Sequence, residues 1–107
     1  MNNLLFKAFA DPTRLRILGL LWGREVCVCD LMAVLGAPQS KISQHLAFLR
    51  SAGLVVFRQE GKWRHYALAK PIGRVHARLV GCLGEIDDLK HDRTKLKKIL
   101  RAKEKCS

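Results

Sequence analysis

At 107 residues with 49% hydrophobic content, the chain is large enough for one modest core and too small for two, which predicts a single domain over 1–107 and excludes a charged disordered tail. Twenty Lys and Arg against nine Asp and Glu leave a formal net charge of +11, the balance of a surface that meets a polyanion. No run approaches the roughly 18 uninterrupted apolar residues that span a bilayer, and the start lacks the basic flank and apolar core of a signal peptide, so a cytoplasmic chain with no membrane partner is expected.

In chain order, Leu4, Leu5, Phe6 and Phe9 begin a short apolar helix that Asp11-Pro12 ends. Asp11 suits an N-cap and Pro12 the first helical position, where its missing N–H costs nothing, so a second helix is predicted from Pro12 to Trp22. Leu15, Leu18, Leu21 and Trp22 form its predicted core stripe, and Gly23 stops it. Val26, Cys27, Val28 and Cys29 then alternate like a short extended segment, with valines on one side and thiols on the other. Asp30 favours a helix start, Leu31, Val34 and Leu35 give that helix a buried face, and Gly36-Ala37-Pro38 turns the chain. A helix from Gln39 to Ser51 follows, buried through Ile42, Leu46 and Leu49. Two short helices joined by a tight turn make a helix-turn-helix, with the second as the reader of a DNA groove.

Leu54 to Gln59 reads as a strand, Gly61 as a hairpin tip and Lys62 to Leu68 as the return strand, with Arg58, Gln59, Lys62 and Arg64 clustered on a basic wing. From Pro71 to Lys103 the pattern is helical. Val75, Leu79, Cys82, Ile86, Leu89, Leu96 and Leu100 recur at three- and four-residue steps, the narrow seam of a helix that meets a partner helix. A chain this small offers no second long helix to receive that seam. The expected architecture is therefore mainly α with a small β-hairpin wing, a winged helix-turn-helix that forms a homodimer through its N-terminal and long C-terminal helices.

Within this frame Gln39, Ser40, Lys41, Ser43, Gln44 and His45 form the polar face at the start of the reader, with Gln44 suited to base readout. Lys41, Arg58, Lys62 and Arg64 suit phosphates. Cysteines in a reducing compartment more often bind metal or sense redox state than form disulfides, and Cys27 and Cys29 are too close in sequence to bridge easily. No Cys-x-x-Cys on a βαβ framework and no nucleophile with base and orienting group is found, so neither an enzyme, nor a small-molecule substrate, nor an organic cofactor is expected.

The runs Asp11-Pro12-Thr13-Arg14-Leu15, Glu25-Val26-Cys27-Val28-Cys29-Asp30-Leu31, Lys41-Ile42-Ser43-Gln44-His45-Leu46 and Gly61-Lys62-Trp63-Arg64-His65-Tyr66 stand in register over residues 4–70. Together they resemble the ArsR/SmtB winged-helix metalloregulatory repressors, most closely the arsenic- and antimony-responsive ones. The resemblance implies a homodimer that covers double-stranded operator DNA and lets go when a metal or metalloid binds. Trivalent arsenic and antimony are soft centres that prefer thiolates, usually three, so As(III) or Sb(III) at Cys27 and Cys29 is the expected inducer. Residues i and i+2 lie about 200° apart on a helix, so gripping one ion with both thiols favours an extended or unwound helix start. Glu25 and Asp30 cap or solvate this segment rather than ligate.

Several relatives of this type carry a third cysteine where this chain has Met32, a weak neutral ligand. The third donor is then Cys106, Cys82, or solvent or a small thiol. Cadmium and lead sensors of the family add cysteines on an N-terminal arm that this sequence does not show ahead of Cys27. Zinc sensors use Asp and His along the last helix, a pattern that Asp87, Asp88 and His91 do not match. His45, His65 and His76 read as DNA-face, strand-pairing and packing residues. Two alternatives remain open: a repressor that answers soft divalent ions such as cadmium or lead, and a thiol redox-sensing winged-helix repressor.

Overall fold

The computed structural model describes residues 3–106, with side chains described for 4–103. Helix α1 (Asn3–Ala10) packs Leu5 and Ala8 inward. Helix α2 (Pro12–Leu21) starts as the sequence predicts: the Asp11 carboxylate accepts from the backbone N–H of Thr13 at 2.9 Å and of Arg14 at 3.1 Å. These bonds satisfy donors that a helix start leaves without intrahelical partners. Its C-terminal half is buried on every side through Ile17, Leu18, Gly19, Leu20 and Leu21, so it forms the centre of the core rather than one wall.

Strand β1 (Val26–Cys27) is two residues long, and helix α3 (Val28–Leu35) begins immediately after it. The predicted extended run over Val26–Cys29 is thereby corrected. Val26 and Val28 are both buried, and turning into a helix at Val28 lets Leu31 and Val34 follow them into the core. Gly36 closes α3 in the left-handed region at φ 63°, which lets the chain swing through Pro38 into helix α4 (Gln39–Ser51). Helix α4 has the predicted bounds and buries Ile42, Leu46 and Leu49.

Strands β2 (Val55–Glu60) and β3 (Trp63–Leu68) form the hairpin, and β1 pairs with the far side of β3, so the three-stranded antiparallel sheet has the order β1-β3-β2. Tyr66 is buried beneath it and meets Phe57 with ring centroids 5.4 Å apart.

The C-terminal third departs most from expectation. In place of one long helix there are α5 (Arg74–Cys82), a break, a 3₁₀ turn (Asp87–Leu89) and α6 (Lys90–Cys106). The break passes Gly84 against the Trp22 indole so closely that a Cβ there would collide with the ring. Trp22, expected in the core stripe, is instead 42% exposed, covering this crossing beside the Arg93 guanidinium. Beyond the break the 3₁₀ turn and α6 fold back onto α2 and α3 of the same chain, burying Leu89 and Leu96. Arg16 grips Asp92 with two 2.9 Å bonds, and the Lys95 ammonium donates to the Val34 carbonyl at 3.1 Å. The Leu89 and Leu96 part of the seam is thus covered within the chain, since a helix broken near glycines can supply its own partner, while Val75 and Cys82 stay exposed. Among the exposed apolar side chains, Phe6, Ile72 and Val75 lie on α1, on the segment between β3 and α5, and on α5.

Candidate nucleic-acid interface and dithiol site

The apolar stripe of α4 seats the helix on the core and turns its polar residues outward: Gln39, Ser40, Lys41, Ser43 and Gln44 are exposed and His45 is half-buried. His45 is held from behind, because its Nδ1 accepts from Arg14 Nε at 3.4 Å while the same guanidinium lies 3.8 Å over the Phe48 ring. Gln39, Ser43, Ala47 and Arg50 follow one another at helical spacing and form one wall of a cleft of about 420 Å³. Gln59, Lys62, Trp63 and Arg64 of the hairpin form the other wall.

Arg64 Nε donates to the Gln59 side chain at 3.2 Å, and Gln59 in turn donates to the Gly61 carbonyl at 3.0 Å, which braces the hairpin tip. Lys62 is exposed and lies 5.5 Å from the Trp63 ring centroid. Phe57 carries Arg50 from the reader helix at 4.6 Å and Arg64 from the wing at 4.4 Å. Like charges drawn to one ring beside an open cleft make a seat for an anion such as a phosphodiester. Arg50 and Trp63 were missed in the sequence. The row 39, 43, 47, 50 would have found Arg50, whereas Trp63 reads equally well as a strand residue.

Arg58, expected on phosphate, is differently engaged. Its guanidinium is taken by Glu25 at 2.6 Å and by Glu60 at 2.7 Å. These bonds hold both carboxyls below the usual carboxylate range.

At the other end of the helix-turn-helix the two thiols converge. Cys27, extended at φ −70° and ψ 144°, is the last residue before α3, and Cys29 lies in the first turn. Because the pair straddles the junction, neither the strand rule nor the helix rule sets its geometry, and the sulfurs stand 2.9 Å apart as free thiols. Cys27 is buried and Cys29 half-buried. Burial pushes the Cys29 thiol up, with the hydrogen bond to Cys27 and the Asp30 carboxylate acting in the same direction and Lys103 against them.

The last turns of α6 reach this pair. Lys103 Nζ bonds the buried Asp30 carboxylate and stands 3.6 Å from the Cys29 sulfur. Asp30, read as a cap, is thus an ion-pair partner, and Glu25 is one as well. Among the described residues no group of three or more His, Cys, Asp or Glu side chains is placed to hold a metal ion. The two sulfurs are a soft donor set that fits a thiophilic centre, with no third ligand beside them among the described residues. Cys82 is exposed on α5, and the Cys106 side chain lies outside the described residues. Asp87 pairs with Lys90 at 2.9 Å, while Asp88 and His91 are exposed. His76 is buried, its Nδ1 accepting from the Ile72 N–H at 3.0 Å.

Residues 11–56 match the family model described as bacterial regulatory protein, arsR family. Over 77 residues the chain is 49% identical to the arsenical resistance operon repressor of Escherichia coli, a match that covers 71% of this chain and 66% of that repressor. Among solved structures, HlyU from Vibrio cholerae superposes with a TM-score of 0.68 at 36% identity, covering 77% of this chain and 86% of that one. The homodimeric winged helix-turn-helix domain of Mb0332 from Mycobacterium bovis does so at 0.64 and 34% identity, covering 79% and 76%. The proteins that share this fold and sequence are DNA-binding transcriptional regulators, not enzymes. No helix among the described residues is long and apolar enough to cross a membrane.

Proposed function

The chain belongs to the arsR family of bacterial regulatory proteins, and from that premise we propose that it represses transcription by gripping operator DNA as a homodimer and releases it when As(III) or Sb(III) binds Cys27 and Cys29. The observation that carries this reading is the pair of free thiols 2.9 Å apart at the junction that opens the helix-turn-helix. A ligand that draws on both sulfurs must act on the first turn of α3, and α3 is joined to the reader helix by one short turn. DNA binding rests on the exposed residues Gln39, Ser40, Lys41, Ser43 and Gln44 with half-buried His45 beside them, and with Lys62, Arg64 and Arg50 on phosphates. Such a dimer would set two reader helices about 34 to 36 Å apart on an inverted repeat.

Proton chemistry favours the trivalent ions over divalent ones. A raised Cys29 thiol keeps its proton near neutrality and can pass it to a hydroxyl of arsenous acid, which leaves as water while sulfur takes its place. A divalent cation must instead expel that proton into solvent, so its binding weakens as pH falls. The third sulfur is assigned to Cys106 of the same chain. Lys103 is the last described side chain of α6 and reaches Cys29, and Cys106 stands three positions further along the sequence. Replacing Cys106 by Ser should weaken arsenite binding and replacing Cys82 should not.

Dimerisation is assigned to α1 and α5. Phe6, Ile72 and Val75 are exposed there, and an apolar groove of about 390 Å³ is lined by Leu5, Ala52, Ile72, Val75 and His76. Sedimentation of Val75→Glu as a monomer would support that face.

The deciding experiment titrates labelled promoter DNA with As(III), Sb(III), Cd(II), Pb(II) and Zn(II), using the native protein and a Cys27→Ser, Cys29→Ser double variant. Release by the trivalent ions alone, lost in the variant, is the expected result. Equal release from both proteins would move the sensor elsewhere, and release by an oxidant without metalloid would favour the redox reading.

A further inference from the structure

One line of residues crosses the sheet from the sensor to the wing. Cys27 on β1 stands opposite His65 on β3, and His65 stands opposite Arg58 on β2, so a single cross-strand row links the buried thiol to the outer strand of the hairpin. Directly paired residues share a face and are each other's nearest side-chain neighbours. A second connection runs alongside. Glu25, two residues before Cys27, receives Arg58 Nε at 2.9 Å from each carboxylate oxygen and a further guanidinium nitrogen at 2.6 Å. The remaining nitrogen of Arg58 bonds Glu60 at 2.7 Å, and His65 Nε2 lies 3.6 Å from the same carboxylate. Glu60 is the last residue of β2, and Gly61, Lys62 and Arg64 follow at the tip.

We propose that Glu25 and Arg58 are positioning residues that tie the wing to the thiol-bearing strand, so that ligand capture at Cys27 and Cys29 moves the wing cations as well as the reader helix. This rests on the ligand-responsive function proposed above and adds a second route to it. Strand β1 pairs with β3 through only two residues, Val26 and Cys27, so alone it could shift without carrying the hairpin along. A planar guanidinium held by a carboxylate at each end resists that slippage, because its fork fixes direction as well as distance. The clasp is exposed and therefore adds little to fold stability. Its effect lies in geometry: Arg58 has its donors committed to Glu25 and Glu60, while Lys62 and Arg64 remain at the DNA cleft.

The test compares native protein with Glu25→Gln and with a charge-swapped triple variant, Glu25→Arg, Arg58→Glu, Glu60→Arg, which rebuilds both ends of the clasp with the signs reversed. For each, arsenite binding to the free protein is measured directly, operator affinity is measured with and without arsenite, and the amide resonances of Lys62 and Arg64 are followed during arsenite addition. The proposal expects Glu25→Gln to bind arsenite as the native protein does. The arsenite-induced loss of operator affinity should shrink by about fivefold or more in that variant. Its Lys62 and Arg64 resonances should no longer respond, and the charge swap should restore both effects. An unchanged affinity ratio together with unchanged wing resonances in Glu25→Gln overturns the clasp while leaving the repressor reading intact. A charge swap that folds, binds arsenite and fails to restore the response overturns it too. Native protein that binds no arsenite removes the reading on which the clasp depends.

Discussion

The two ends of the helix-turn-helix are built to opposite rules. At the α3 end the chemistry is half-buried and tied down: Cys27 and Cys29 face each other, Asp30 is locked to Lys103, and Glu25 to Arg58. Along the exposed face of α4, Gln39, Ser40, Lys41, Ser43 and Gln44 project into solvent from a helix whose inner stripe alone is fixed. On the function proposed above, a site that grips a small ion gains from donors placed in advance, whereas a face that probes many base pairs gains from side chains free to adapt. The difference means that damage to one end should leave the other working.

The largest effect expected is the loss of release. Cys27→Ser with Cys29→Ser should keep operator affinity within about twofold of native and remove an arsenite effect on the order of 5- to 150-fold, read by gel shift or anisotropy. If the double variant lost DNA binding as well, the two ends would not be separable. Next in size is pH. Lowering the pH from 8 to 7 should weaken Cd(II) binding roughly tenfold for each proton displaced. Arsenite binding should stay nearly flat, because Cys29 remains a thiol across that range. Parallel slopes by calorimetry would cancel the preference for trivalent ions.

From the reader side, Gln44→Ala should cost about 1–3 kcal/mol of discrimination at one base pair and leave arsenite binding alone. Lys62→Ala should weaken all sequences alike and lower the salt slope of binding by about 1. The smallest effect belongs to the scaffold beneath both ends. Asp11→Ala should destabilise by about 1 kcal/mol in denaturant titration. The backbone N–H groups of Arg14 and Thr13 hold the Asp11 carboxyl below its ordinary value. Its contribution is therefore complete above the unfolded carboxyl value near pH 4 and fades as the pH falls through the lower folded value, so native and variant stabilities should converge in acid.

What the sequence disclosed follows the same division. Asp11-Pro12, Gly36 and the 42, 46, 49 stripe act locally, through capping, a left-handed turn and helical spacing, and the structure carries α2 and α4 where those residues place them. The cysteine pair was visible as a pair, yet the bend between its members was not, since alternation of Val and Cys fits a strand as well as a strand running into a helix. Long-range pairings left no local trace at all. Nothing near Asp30 announces Lys103, and nothing near Glu25 announces Arg58. The seam through Leu89 and Leu96 was read as a contact with another molecule because periodicity reports that a face is covered and is silent about what covers it.

The return of α6 across the crossing of Gly84 and Trp22 has a practical side. Arg101 is exposed and sits two residues before the lysine that reaches the dithiol, while no described residue of α6 lines the DNA cleft. A dye attached at residue 101 would sit on the far side of α6 from the sulfurs and clear of the nucleic acid, reporting guest arrival through displacement of the helix even when no promoter is present.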